Sequence, residues 1–101
     1  MNNSMVSTEM ISTVREVRIL TPNTFVLRFD RLGMHFLPGQ YITLGVHGDT
    51  ETREYSIYSP TAQDYLEVLI KEVEDGILSK KLKRLQAGDK VRMEGPFGFS
   101  P

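Results

Sequence analysis

The feature that most limits what this chain can fold into is a period-two alternation of apolar residues, repeated in short runs and cut by glycine and proline. Val17 and Ile19 alternate with Glu16 and Arg18, and Phe25, Leu27 and Phe29 alternate with Val26 and Arg28. Ile42, Leu44 and Val46 are in phase between Gly39 and Val46, as are Leu66, Val68 and Ile70 between Tyr65 and Val73. Val91 and Met93 are in phase between Asp89 and Glu94. An inward side chain at every second position is what a strand with one buried face requires. Turn chemistry separates the runs at Thr21-Pro22-Asn23-Thr24, at His47-Gly48-Asp49-Thr50 and at Thr61-Ala62-Gln63-Asp64, and Asp30 to Pro38 reads as a loop. One stretch departs from the rule. Leu78, Leu82 and Leu85 recur at i, i+4 and i+7, the spacing of one helix face, with Asp75 as candidate N-cap and Gly88 marking the end. Counting the run from Arg53 to Pro60 as the fourth strand, the expectation is an all-β fold. It is a closed six-stranded antiparallel Greek-key barrel with one α-helix between the fifth and sixth strands, because closure removes exposed strand edges.

Length confines that barrel to one domain, since 101 residues suffice for one core and no second. Met1 to Met10 show no period and read as a frayed tail, which leaves residues 11–101 as the domain. With no cysteine, disulfides, thiolate catalysis and iron–sulfur ligation are excluded. His35 and His47, twelve positions apart without helical spacing, do not make a metal site, and His35 reads as a surface loop residue. A formal charge of -1 with mixed signs argues against a nucleic-acid partner. No apolar run reaches the roughly 20 residues of a membrane span, and the start lacks the pattern of a secretion signal, so a cytoplasmic location is expected.

The chemistry is concentrated in Arg53-Glu54-Tyr55-Ser56-Ile57-Tyr58-Ser59-Pro60. In an extended segment Arg53 and Tyr55 share one face, which sets a planar guanidinium beside an aromatic ring. The guanidinium suits a phosphate and the ring a stacked planar system. A ligand carrying both groups is implied, and the Ser56 hydroxyl can donate to or accept from a ring-edge nitrogen. A second anion-binding device is expected where Gly76 precedes the helix, with the N–H groups of Ile77, Leu78 and Ser79 open in its first turn. Two such devices suit a diphosphate better than a single phosphate. Read without a ligand, Gly76 is a plain strand-to-helix turn. The basic face of Lys80, Lys81, Lys83 and Arg84 reads first as a solvated surface complementing the helix dipole, and second as a patch that steers an acidic redox protein.

Arg53-x-Tyr55-Ser56, Gly76-Ile77-Leu78-Ser79 and Gly95-Pro96-Phe97-Gly98, in that order, resemble the FAD-binding domain of the ferredoxin-NADP reductase family, over about Ile11 to Pro101. Pro38-Gly39-Gln40 is similar to that family's entry to the third strand. The resemblance implies FAD as cofactor, with Tyr55 stacked on the isoalloxazine, Ser56 near the flavin N5 that receives a hydride, and Arg53 neutralising the diphosphate. Tyr55 and Ser56 are then the catalytic residues. Backbone groups around Ile57 would meet the polar edge of the flavin, while the backbone of the fifth strand at Ile70, Lys71 and Val73 would line its ribityl and adenine portions. In a flat strand, however, Ser56 points away from Tyr55, so the strand must twist or finish for both to touch one ring system.

The resemblance further implies a flavin-dependent oxidoreductase that takes a hydride from NAD(P)H and passes electrons to a ferredoxin, flavodoxin or other redox acceptor. The NAD(P)-binding α/β domain that such a reductase carries has no counterpart in this sequence, which shows no Gly-rich strand-turn-helix unit. It is expected as a missing continuation or a separate chain, and Gly95 to Pro101 read as a crossing into it, with Phe97 and Phe99 exposed. Two readings compete with the reductase. One is a non-catalytic flavin- or lumazine-binding barrel of the riboflavin-synthase-like type, and the other a structural barrel that contacts proteins through Tyr55, Phe97 and Phe99.

Overall fold

A computed structural model describes residues 9–73 and 76–98. Six antiparallel strands form one sheet in the order β4-β3-β6-β1-β2-β5, and one helix lies between β5 and β6. The strands are β1 (Met10–Thr21), β2 (Thr24–Asp30), β3 (Tyr41–Val46), β4 (Arg53–Ser56), β5 (Tyr65–Lys71) and β6 (Lys90–Phe97). The helix, α1, spans Ile77–Lys83. The mainly β class and the position of the helix match the expectation from periodicity.

β1 gives the sheet its curvature. Its first residues, Met10 to Thr13, pair with β6, and from Val14 onward it pairs with β2, with a register shift between Val14 and Glu16 where it changes partner. Because the strand serves two neighbours, its inward positions jump from Ser12 and Val14 to Val17, and period-two reading finds Val17 but misplaces Ile19, which is 51% exposed. β1 therefore begins at Met10, the last residue of the expected tail. The inward Ser12 is 1% exposed, and its hydroxyl donates to the Asp30 carbonyl at 2.6 Å. That bond satisfies a buried polar group that would otherwise cost stability.

The alternating apolar residues meet inside the sheet. Phe25, Leu27, Phe29, Ile42, Leu44, Leu66, Val68, Ile70, Val91 and Met93 are buried, and Leu78 and Leu82 close the core from the helix. Each fully buried side chain of this size stabilises the fold by roughly 1.5–3 kcal/mol. The helix stops at Lys83 with Arg84 as its C-cap, short of Gly88, which instead has φ 99° in the turn closed by the Asp89 N–H donating to the Gln86 carbonyl at 3.0 Å. Leu85 still packs on the core as the chain leaves the helix.

The barrel is not sealed by a full ladder. β4 and β5 end the sheet, joined by a single bridge between Ile57 and Val68 and by the Tyr58 N–H donating to the Glu67 carbonyl at 2.7 Å. β4 is only four residues long; one position on, the Ile57 N–H still donates to the Gln40 carbonyl at 3.0 Å, and Pro60 beyond it lacks a donor. The expected closure is thus a seam, open beside Arg53 and Tyr55. β6 runs past Glu94 to Phe97, which pairs with Tyr41, so the expected exit at Gly95 is still part of the sheet.

Candidate active site at the open seam

The groove lies where β4 and β5 diverge and the helix begins. Its walls are Glu51, Arg53, Glu54 and Tyr55 from β4 and its lead-in, Lys71 and Val73 from the end of β5, and Gly76, Leu78 and Ser79 from the start of α1. Three separate segments therefore bring the Arg53–Tyr55 strand and the Gly76 turn into one groove. Its volume is about 200 Å³. That is below the roughly 300–1,000 Å³ of a site enclosing a drug-sized ligand, so a dinucleotide would fill the groove with one part and lie along the surface with the rest.

Arg53 and Tyr55 share a face, as period two demands. The ring of Tyr55 is half-buried against the core, and burial pushes its phenol above the usual tyrosine value, with the charge of Arg53 lowering it and that of Glu51 raising it. Arg53 has 62% of its side chain exposed; Nη2 pairs with Glu51 Oε2 at 2.9 Å and Nη1 donates to the Thr52 carbonyl at 3.1 Å. Lys71, exposed on the opposite wall, supplies a second cation. Two cations, an aromatic face and backbone at the Gly76 turn fit a phosphorylated planar cofactor.

The other expected site residues are placed differently. Ser56 is exposed at the end of β4 and does not line the groove, in keeping with the alternation that separates it from Tyr55. Ile57 packs on the core, and its N–H is committed to Gln40. Ile70 is fully buried in the core, so its side chain faces away from the groove. Val73 is 53% exposed on the groove wall, whereas Ile77, 63% exposed, lies outside it.

Asp75, the expected N-cap, lies outside the described residues, and Gly76 holds the N-cap position without a side-chain cap bond. At seven residues the helix is too short for a strong dipole, so the anion attraction expected at its start passes to Lys71 and Arg53. Gly76 is required by packing, since an added Cβ would come within 2.5 Å of the Val73 side chain and 2.8 Å of Ser79 Oγ. Ser79 itself donates its hydroxyl to the Gly76 carbonyl at 3.1 Å, tying the turn to the helix.

The basic face of the helix is occupied by the fold itself. Lys81 pairs with Asp49 at 2.9 Å, Lys83 binds Glu72 at 3.1 Å and the Pro22 carbonyl at 2.7 Å, and Lys80 donates to the Val73 carbonyl at 3.1 Å. These contacts favour the surface reading over a steering patch. Phe97 is half-buried, its ring tilted 38° to that of Tyr41 with centroids 5.6 Å apart, while Phe99 lies outside the described residues. Among the described residues no group of three His, Cys, Asp or Glu could hold a metal, and no helix is long and apolar enough to cross a membrane.

Period two missed two groove residues, Glu51 and Glu54. Glu51 sits in a polar lead-in without alternation, so only its position two before Arg53 signalled that it shares that face.

Comparison with known proteins agrees with this architecture. Residues 7–100 match the model of the oxidoreductase FAD-binding domain. The chain is 34% identical over 91 residues to the toluate 1,2-dioxygenase electron transfer component of Pseudomonas putida, covering 86% of this chain and 27% of that protein. It is 38% identical over 96 residues to an NADH-cytochrome b5 reductase-like protein of Mus musculus, covering 87% of this chain and 29% of the relative. It therefore spans less than a third of the length of either relative. Among solved structures, a ferredoxin NADP+ reductase from Neisseria gonorrhoeae with bound FAD and NADP superposes with a TM-score of 0.85 at 24% identity, over 93% of this chain and 40% of that one. The ferredoxin reductase in carbazole 1,9a-dioxygenase gives a TM-score of 0.80 at 26% identity, over 95% of this chain and 30% of that one. Motif order, strand topology and a family match over nearly the whole sequence converge: the chain belongs to the oxidoreductase FAD-binding domain family.

Proposed function

We propose that the groove at the β4–β5 seam is where this domain holds FAD, and that the domain is the flavin half of an NAD(P)H-dependent electron-transfer oxidoreductase. The observation that carries the reading is the meeting of Arg53, Tyr55, Lys71 and the Gly76 turn in one groove. Arg53 offers a planar fork to a phosphate, and Lys71 faces it as a second charge across the groove. Tyr55, backed by the core, presents a rigid ring for stacking. Two cations spaced across a groove favour a diphosphate over a single phosphate, which supports FAD over FMN.

Bound flavin supplies hydride and single-electron chemistry, and the protein supplies position and charge. Ser56, exposed beyond Tyr55, comes beside the reactive edge of the ring system only if that ring extends past the end of β4. Val73 covers apolar parts of the ligand on the opposite wall. The nicotinamide-binding unit in this reading is a further domain, in keeping with relatives more than three times as long, one of them named for NADH. The acceptor in this reading is a redox protein, since the relatives are electron transfer components and cytochrome b5 reductases. A chain without cysteine has no need of an oxidising compartment, which suits a cytoplasmic setting.

The experiment is a titration of purified protein with FAD, FMN and riboflavin, followed by flavin fluorescence. The reading expects quenching on binding, with affinity in the order FAD, FMN, riboflavin, and a loss of about 2- to 10-fold in Tyr55→Ala from stacking alone. Equal affinity for riboflavin and FAD favours the riboflavin-synthase-like alternative, and no flavin uptake rejects the groove as a flavin site.

A further inference from the structure

The groove carries its own anion. Glu51 and Arg53 both line it, and the 2.9 Å contact between Glu51 Oε2 and Arg53 Nη2 sets a carboxylate against the guanidinium edge that a phosphate would use. The Glu51 backbone is fixed, because its carbonyl lies against Gly45 of β3 so closely that a Cβ there would collide with it. The pair with Arg53 thus springs from backbone packed closely on β3. Yet the pair is weak by position, with 62% of the Arg53 side chain and 34% of Glu51 exposed to solvent that screens it. A weakly bound carboxylate is easily exchanged for a stronger anion.

Resting on the assignment of this groove to flavin, we propose that Glu51 is an internal counter-anion that competes with the flavin phosphates for Arg53. It lowers the affinity for phosphorylated flavins and leaves that for riboflavin untouched. The alternative role, in which Glu51 orients Arg53 for the ligand, is disfavoured by the exposure of both partners. Neutralising Glu51 removes charge repulsion and frees the guanidinium edge together.

The test compares wild type and Glu51→Gln in binding FAD, FMN and riboflavin at low and high salt. The expected result is about 3- to 10-fold tighter FAD and FMN binding in Glu51→Gln at low salt, shrinking at high salt, with riboflavin unchanged. Weaker or unchanged FAD binding in Glu51→Gln, while Arg53→Ala loses affinity, overturns the competition and leaves the flavin site standing. An equal gain for riboflavin also overturns it, because no phosphate is then involved. A flavin-free readout is the shift of the Arg53 side-chain Nε–Hε resonance on adding inorganic pyrophosphate. Its midpoint should fall severalfold in Glu51→Gln, and identical midpoints contradict the proposal even if neither protein takes up flavin.

Discussion

Arg28 and Arg53 each stand near a tyrosine, and they have opposite fates. Arg28, on the outer face of β2, bonds Glu67 through Nε at 2.8 Å and lies 3.9 Å from the centre of the Tyr65 ring. Its partner Glu67 has only 6% of its side chain exposed and is also reached by Arg18 at 3.3 Å. The bond to Glu67 pushes the Arg28 guanidinium above its already high ordinary value. Arg53, on β4, has an exposed partner and an open groove in front of it. What differs is the neighbouring ladder. Around Arg28, β2 has a strand on each side, β1 with a register shift next to Arg28 and β5 in unbroken register, so the cation, the ring and the acid close on one another. Around Arg53 the ladder stops after four residues, and the same side-chain types are left facing solvent. Charge next to an aromatic ring marks a site only where the sheet leaves its edge open.

The sharpest way to break this comparison is to truncate each arginine. Arg53→Ala should weaken FAD binding about 10- to 100-fold, the loss of a charged hydrogen bond, while folding stability in urea stays within about 0.5 kcal/mol. If stability falls and binding holds, the two arginines have been assigned the wrong roles. Arg28→Ala should do the reverse. With Glu67 left buried and held only by Arg18, stability should drop by about 1–2 kcal/mol with no change in flavin affinity.

A smaller effect separates the tyrosines. Burial favours the neutral phenol of Tyr55, so its folded value lies above the ordinary 10.0. The unfolded chain therefore loses this proton first as pH rises, and the stabilising contribution is complete below pH 10 and fades as pH passes through 10 and the raised folded value. In an ultraviolet titration, one tyrosine absent from Tyr55→Phe should ionise late, and the alkaline loss of stability should be shallower in that variant. A Tyr55 that ionises at its ordinary value would mean that its ring is not backed by the core.

Much of this was legible from residue spacing. Inward apolar positions on β2, β3 and β5 obey period two because each strand keeps its neighbours over its described length. β1 was legible only from Glu16, because its first residues belong to a different pair and the change of partner at Val14 shifts the phase. The helix face of Leu78, Leu82 and Leu85 was legible, but its end was not. Leu85 stays on the core although the helix has already stopped at Lys83. At the groove, Arg53 and Tyr55 followed from alternation, which also puts Glu51 on their face, while Lys71 meets them only through the divergence of β4 and β5, which no local pattern encodes.

The central claim is that flavin sits at the open seam and nowhere else on the barrel, and an NMR titration of isotopically labelled protein with FAD tests it directly. The account predicts that shifts concentrate on Arg53, Tyr55, Lys71, Val73, Gly76 and Ser79, with Arg28, Tyr65 and Glu67 unmoved. Shifts centred on the Arg28 face, or spread evenly over both, would contradict it.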